Sequence, residues 1–142
     1  MSSYSTIGIN DEIEYFNSNH ELHREDGPAR ITSGNGRSWY INGKLHREDG
    51  PAYIESKGIY EWYKNGKLHR EDGPAIRFYN FEKHYYLEGI EYEEEEYYIK
   101  IKQIKKERVN HLQNKLNNIS KENSFLKYLD KDIIHTISLY TV

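Results

Sequence analysis

Cysteine is absent from this sequence of 142 residues, and its absence excludes two kinds of stabilising centre. Without thiols the chain can form neither a disulfide nor a thiolate-ligated zinc site. The absence suits a reducing compartment, so we expect an intracellular, soluble protein. No stretch approaches the roughly 20 apolar residues that a membrane span needs. The first residues carry neither the basic region nor the apolar run of a signal peptide.

Apolar residues are also scarce, since 36% of the chain is hydrophobic and 30% is charged. Such a chain can fold, but it has little material for a thick core. Its 14 tyrosines and 2 tryptophans suit half-buried positions, where the ring packs and the polar tip stays solvated. The net charge of −3 argues against a general nucleic-acid binder.

The main feature of the sequence is a repeat. The octapeptide LHREDGPA occurs at residues 22–29, 45–52 and 68–75, with a spacing of 23 residues. A fixed period of this size predicts a stacked array of structural units. We place a lead-in at residues 1–15 and units at 16–38, 39–61 and 62–84. A partial unit follows at 85–92.

Each unit is predicted to contain a hairpin followed by a proline-bounded strand. Asn42 with Gly43 and Asn65 with Gly66 form the strongest short hairpin signal. The fourth unit has Glu88 and Gly89 instead. Proline has no N–H and extends the residue before it, so the next strand begins after Gly-Pro. The expected fold is mainly β, an elongated twisted single-layer sheet of antiparallel hairpins, followed by a C-terminal helical region.

The pattern GxxxWYxNGKLHRxDGPA resembles the MORN-variant repeat of bacterial, large-DNA-virus and phage proteins. The resemblance covers about residues 16–92. It implies a twisted sheet of successive hairpins and says little about activity. The HREDGPA insert and the helical tail depart from the ordinary MORN unit.

The repeated histidines and acids could be read as a metal or catalytic ladder. Strands lie about 4.8 Å apart, so equivalent residues two strands apart are separated by roughly 10 Å. Ligands of one zinc ion lie at about 2.0–2.1 Å from the metal. Equivalent histidines therefore cannot share an ion, and we expect no metal, no cofactor and no catalytic residue.

Turn chemistry explains the repeated polar residues better. An aspartate before Gly-Pro can accept N–H bonds in an Asx turn, and the arginine can pair with it or lie on an aromatic face. The histidine can bond a neighbouring turn. The predicted structural turn residues are Asn42, Gly43, Asn65, Gly66, Asp26, Asp49 and Asp72.

Aromatic residues recur at equivalent positions and are predicted to stack into the core, with Trp62 buried between neighbouring rings. The alternative is an exposed surface that binds a partner, together with two loop arginines. The candidate residues for that surface are Trp39, Tyr40, Trp62, Tyr63, Tyr85, Tyr86, Arg47 and Arg70.

The tail is predicted to form an amphipathic helix over residues 93–128, where Asn117 and Asn118 are a possible break. A second short helix is predicted over 129–142, with Asp130 as its N-cap. One apolar stripe runs along the first helix, and it either packs on the sheet of its own chain or forms a homodimer or partner interface. The stripe comprises Val109, Leu112, Leu116, Ile119, Asn123 and Leu126.

The helix also carries the main basic cluster of the sequence. The simplest interpretation is a solvated helix face, and the alternatives are an anionic membrane surface or an acidic protein or RNA. The cluster comprises Lys100, Lys102, Lys105, Lys106 and Arg108.

These patterns predict a non-enzymatic protein–protein interaction module with another protein as its partner. No Ser-His-Asp motif, phosphate loop or zinc signature is present in the sequence. One alternative is a viral or phage inhibitor that blocks a host defence enzyme in the host cytoplasm. A weaker alternative is a module that binds lipid at a membrane surface.

Overall fold

The computed structural model describes residues 4–7 and 12–122. Within them the chain is mainly β and ends in a helix, which confirms the predicted fold class. The chain divides into two compact units between Tyr97 and Tyr98, so the hairpin array and the first helical turn belong to one unit. The predicted helix over 129–142 lies outside the described residues, as do Asn123 and Leu126.

Within the described residues, nine strands form the main sheet, and all pairs of neighbours are antiparallel. In order across the sheet they are β1 (Tyr4–Ile7), β2 (Ile13–Phe16), β3 (Arg30–Ile31), β4 (Arg37–Ser38), β7 (Tyr53–Glu55), β8 (Ile59–Glu61), β11 (Ile76–Arg77), β12 (Lys83–Leu87) and β13 (Ile90–Tyr92). Two small hairpins branch from this sheet. They pair β5 (Tyr40–Ile41) with β6 (Lys44–Leu45), and β9 (Tyr63–Lys64) with β10 (Lys67–Leu68).

The Asn-Gly turns adopt the predicted geometry. Asn42 and Gly43 have φ of 48° and 72°, and Asn65 and Gly66 have φ of 52° and 81°. Two successive positive φ values define the type I′ turn that matches the twist of a hairpin. Glu88 has φ of 53°, so the fourth unit makes the same turn without asparagine.

The first unit begins one residue earlier than predicted. The Tyr15 N–H donates to Ala29 O at 2.8 Å, and its carbonyl accepts the His23 N–H at 2.9 Å. Trp39 makes the same two bonds, to Ala52 and from His46. Tyr15 therefore occupies the tryptophan position, because the first hairpin turn is one residue longer than the others.

Small side chains fill the centre of each unit. Ala29, Ala52 and Ala75 are fully buried. Trp39 and Trp62 are only half-buried, so the prediction that Trp62 is enclosed between aromatic rings is wrong. The physical reason is that a loop arginine lies over each indole ring, while alanine takes the core position.

Helix α1 (Glu94–Glu122) is continuous, and it passes Asn117 and Asn118 without a break. Its first turn holds three glutamates, where the helix dipole favours negative charge. On the predicted stripe, Val109 and Leu116 are half-buried, whereas Leu112 and Ile119 are exposed.

Tyr97, in the first turn of α1, closes the array. Its side chain is fully buried, and its hydroxyl accepts the Gly73 N–H at 3.1 Å and donates to Arg70 O at 2.7 Å. Its ring lies 4.9 Å from the ring of Tyr85, measured between centroids. The helix thus begins within the stretch, from residue 92 onward, in which the period of 23 residues would place a fourth HREDGPA loop.

Candidate functional site

Each HREDGPA loop lies inside its own unit and is hydrogen-bonded to the hairpin of the next unit. We name them loop 1 (residues 23–29), loop 2 (46–52) and loop 3 (69–75). Three bonds join the start of loop 1 to the hairpin of the second unit: Gly43 N–H to Leu22 O at 2.9 Å, Asn42 N–H to His23 Nδ1 at 3.1 Å, and Arg24 N–H to Tyr40 O at 3.0 Å. The same three bonds recur at the next two junctions.

These bonds assign a role to the repeated histidines. His23 and His46 each accept a backbone N–H on Nδ1, so in the neutral ring the proton lies on Nε2. That Nε2 faces a glutamate two residues on, at 3.6 Å from Glu25 and 3.8 Å from Glu48. The prediction that each histidine bonds a neighbouring turn is confirmed.

The loop arginines make both of the contacts that the sequence suggested, one with an aromatic ring and one with an aspartate. Arg24, Arg47 and Arg70 each lie 4.0 Å from the centroid of an aromatic ring, belonging to Tyr15, Trp39 and Trp62 respectively. Each Nε also donates to the aspartate two residues on, at 2.7 Å. Each Nη1 reaches the proline carbonyl of its own loop at 3.3–3.4 Å.

The loop aspartates are therefore partners of arginine side chains. The hydrogen bond from Arg24 holds the pKa of Asp26 below its usual range, and Arg47 acts in the same way on Asp49. The same contact raises the pKa of Arg24. Both charges of each pair are thus kept, and the loop is fixed to the aromatic ring beneath it.

A groove of about 470 Å³ lies between loops 1 and 2. Trp39, Ile41 and Pro28 supply its apolar lining, and His46 and the two loop arginines its basic groups. Its acidic lining comprises Glu25, Asp26, Glu48 and Asp49. The cavity therefore combines an aromatic wall with a charged rim.

The charges around this groove are separated by depth. The arginine side chains are 22–23% exposed, whereas those of the four acids are 78–82% exposed. The guanidinium groups are drawn inward onto aromatic rings while the carboxylates point outward. A partner that approaches the rim therefore meets negative charge.

Loop 3 differs from the first two loops. The Glu71 side chain is only 25% exposed, and Gly73 is buried under the hydroxyl of Tyr97. In the third unit, Lys64 takes the position of Ile41. The groove between loops 1 and 2 is therefore chemically distinct from the next junction.

The structure separates the aromatic candidates that the sequence grouped together. Trp39 and Arg47 lie together at the groove. Tyr85 belongs to the core, and its hydroxyl donates to Glu94. Burial, together with the hydrogen bond that its hydroxyl donates to Glu61 at 2.9 Å, raises the pKa of Tyr63.

The remaining candidates lie elsewhere. Trp62 and Arg70 form their own stacked pair at loop 3, and Tyr40 and Tyr86 are half-buried with carbonyls that accept loop N–H groups. The basic cluster lies on α1 with every member exposed: Lys100, Lys102, Lys105, Lys106 and Arg108.

Sequence reasoning missed the outward glutamates of the groove, Glu25 and Glu48, and its apolar residue Ile41. The repeated carboxylates suggested only turn contacts, because their direction is not visible in the sequence. Comparison of the units could have identified Ile41, since the next unit has a lysine at the same position.

Within residues 4–7 and 12–122, no three histidine or acidic side chains are placed to hold a metal ion together. In the same part of the chain, no helix is both long enough and apolar enough to cross a membrane. Comparison with family models, curated proteins and solved structures found no match to the chain.

Proposed function

We propose that this chain is a non-enzymatic, protein-binding module of the MORN-variant type, and that it binds a segment of another protein in the groove between loops 1 and 2. The groove itself is the observation that carries the proposal. The repeated WYxNGKLHREDGPA pattern supports the family assignment. The repeated histidines, arginines and aspartates support a role without catalysis, because the histidines already bond the hairpin of the next unit and the arginines already bond the aspartates of their own loops.

The chemistry of the groove favours a partner segment that carries basic side chains. Its rim carboxylates are exposed and its arginines are turned inward. The carboxylates therefore attract cationic side chains that approach from the solvent. Charges at a rim mainly accelerate association and orient the partner. At physiological ionic strength this attraction reaches about 8 Å, so it acts only close to the rim.

Quantitative affinity capture with the full chain as bait tests this function. Glu25→Gln combined with Glu48→Gln should reduce the captured partner and slow its association. A matched control, Glu96→Gln with Glu107→Gln, removes the same charge from exposed helix positions and should capture as much as the unchanged chain. Equal capture by both double variants, or capture of nothing above background, would contradict the proposal. A captured host enzyme that loses activity in the complex would identify the chain as an inhibitor.

A second candidate function is binding to an anionic membrane surface, and an observation on the helix favours it. Ile99 is 60% exposed beside the exposed Lys100 and Lys102. Each such cation contributes about 1 kcal/mol at an anionic surface. Sedimentation with phosphatidylserine vesicles, compared between the unchanged chain and Lys100→Gln with Lys102→Gln, tests it.

A further inference from the structure

A line of side chains crosses the sheet at the end opposite the HREDGPA loops. In the strand register, Arg37 pairs with Ile54, Ile54 with Tyr60, Tyr60 with Arg77, and Arg77 with Lys83. Directly paired residues of antiparallel strands project from the same face. These five side chains, which we name the cationic row, therefore lie side by side across β4, β7, β8, β11 and β12.

Within the part of the chain that the structure describes, the cations of this row are uncompensated. Arg37, Arg77 and Lys83 are exposed, and none of them forms an ion pair with the residues that the structure describes. Each loop arginine, in contrast, is paired with an aspartate. Arg77 and Lys83 also stand directly opposite each other, an arrangement that costs stability. A local conflict that folding does not require indicates a functional surface.

Apolar groups accompany these charges. Ile54 is half-buried and Tyr60 is 41% exposed, and both lie between Arg37 and Arg77. The turn that joins Arg77 to Lys83 exposes two further aromatic side chains, Tyr79 and Phe81. Across the row, one cation is therefore followed by two apolar side chains and then by two adjacent cations.

The spacing of the row fits an extended peptide. Arg37 and Arg77 are three strand positions apart, or about 14 Å at about 4.8 Å for each step. An extended chain rises about 3.4 Å for each residue, so residues i and i+4 lie on one face about 14 Å apart. Residue i+2 of such a chain would face Ile54 and Tyr60.

We infer that the cationic row binds an extended acidic segment of a partner protein, with acids four residues apart and an apolar residue midway. The evenly spaced phosphates of a nucleic acid would instead place charge over Ile54 and Tyr60. This surface is separate from the groove, so the inference holds whether or not the groove binds a partner.

Titration of the full chain with a capped synthetic peptide, Glu-Ser-Leu-Ser-Glu-Glu, tests the inference by NMR chemical shifts at low ionic strength. Shifts should concentrate on the cationic row. Arg37→Gln with Arg77→Gln should weaken binding about fivefold, as expected for two exposed ion pairs. The matched control, Lys64→Gln with Lys67→Gln, removes two exposed cations from the β9–β10 hairpin and should leave the affinity unchanged. Thermal unfolding of each variant verifies that it is folded.

Three results would overturn the inference: equal affinity of the two double variants, equal binding of a peptide in which the acids are only two residues apart, or tighter binding of an oligothymidylate or of phosphatidylserine vesicles at the row. Glu25→Gln with Glu48→Gln should not weaken binding of the peptide. The experiments therefore distinguish a groove that binds no partner from a cationic row that binds no acidic peptide.

Discussion

Arg47 shows how much a single loop residue contributes to the array. Its guanidinium lies 4.0 Å from the Trp39 ring centroid, donates to Asp49 at 2.7 Å and reaches Pro51 O at 3.3 Å. The side chain is only 23% exposed. It therefore fixes the loop, the aspartate and the half-buried indole at once.

We expect Arg47→Ala to lower the free energy of unfolding by about 1–3 kcal/mol, because it removes a cation–π contact and charge-assisted hydrogen bonds. Urea denaturation measures the effect. Arg77→Ala, at an exposed arginine that forms no ion pair with the described residues, should change stability by about 0.5 kcal/mol or less. Equal effects of the two substitutions would show that the stacked loop arginines do not stabilise the array.

Tyr97→Phe tests the closure of the array. Loss of the hydroxyl leaves the buried Gly73 N–H without an acceptor and Arg70 O without its donor, so we expect a cost of about 1–3 kcal/mol. Tyr79→Phe removes the same atom from a side chain that is 74% exposed, and it should be nearly neutral in the same denaturation experiment. A neutral Tyr97→Phe would mean that packing of the ring alone closes the array.

For single residues, the sequence predicted the kinds of side-chain partner better than it predicted how deeply each side chain is buried. Each loop offers an arginine, an aspartate and a histidine at fixed offsets, so the kinds of partner could be inferred. The half-burial of Trp62 could not, because it depends on Arg70 covering one face of the ring and on Ala75 filling the centre. Neither placement follows from residue type alone.

At the scale of elements, the turns were the most predictable feature, because Asn-Gly favours two successive positive φ values wherever it occurs. The first hairpin was less predictable because its longer turn is fixed by a side chain, with Asn17 Oδ1 accepting N–H bonds from Asn19 and Glu21. The start of α1 followed from the change in period. Its role in covering loop 3 did not, since it depends on the single side chain of Tyr97.

The last hairpin carries a pH-sensitive cluster. His84 Nδ1 lies 2.7 Å from Glu91 and its Nε2 lies 3.1 Å from Glu82. The hydrogen bond to Glu91 raises the pKa of His84 above 6.5. The pKa of Glu91 is lowered below 4.5 by His84, and that of Glu82 is lowered by Asn80 and then by His84.

A raised histidine pKa stabilises the fold below pH 6.5, and this contribution is lost as the pH rises through the raised value. A lowered glutamate pKa stabilises it above pH 4.5, and this contribution is lost as the pH falls through the lowered value. The cluster therefore contributes fully only between these limits.

We expect the difference in Tm between the unchanged chain and His84→Gln to be largest near about pH 5.5 and to shrink by about pH 8.5. Calorimetry across this range measures it. His111→Gln, at an exposed position on α1, should leave the profile unchanged. A His84→Gln difference that did not vary with pH would assign the histidine a packing role alone.

At the scale of the whole chain, the net charge of −3 conceals two surfaces of opposite sign on one array. The groove presents outward carboxylates, and the cationic row presents exposed cations. The sequence could not show this separation, because a shift of one residue in strand register moves every side chain to the other face. Only the pairing of Arg37, Ile54, Tyr60 and Arg77 in the structure places them in one line.

Hydrogen bonds that recur within each unit also make the array modular. Trp39 N–H donates to Ala52 O and Trp62 N–H donates to Ala75 O, both at 2.8 Å. Ser38 and Glu61 precede the two tryptophans at equivalent strand positions, and Ile76 already pairs with Glu61 as Tyr53 pairs with Ser38. Removal of one whole period would therefore join surfaces that already match.

We expect a chain that lacks residues 39–61 to fold cooperatively, with loop 1 bonded to the hairpin that carries Asn65 and Gly66. Its Tm should be lower, since the stability of a repeat array is approximately a sum over units and their interfaces. Circular dichroism and thermal unfolding measure both properties.

A chain that lacks residues 62–84, also one period, should behave in the same way. A chain that lacks only residues 39–50 should not fold, because its deletion joins Ser38 to Pro51 and removes the hairpin without restoring the register. If the deletions of a whole period and of half a period were equally damaging, the units would not be interchangeable. The period of 23 residues would then describe the sequence without describing how the array is stabilised.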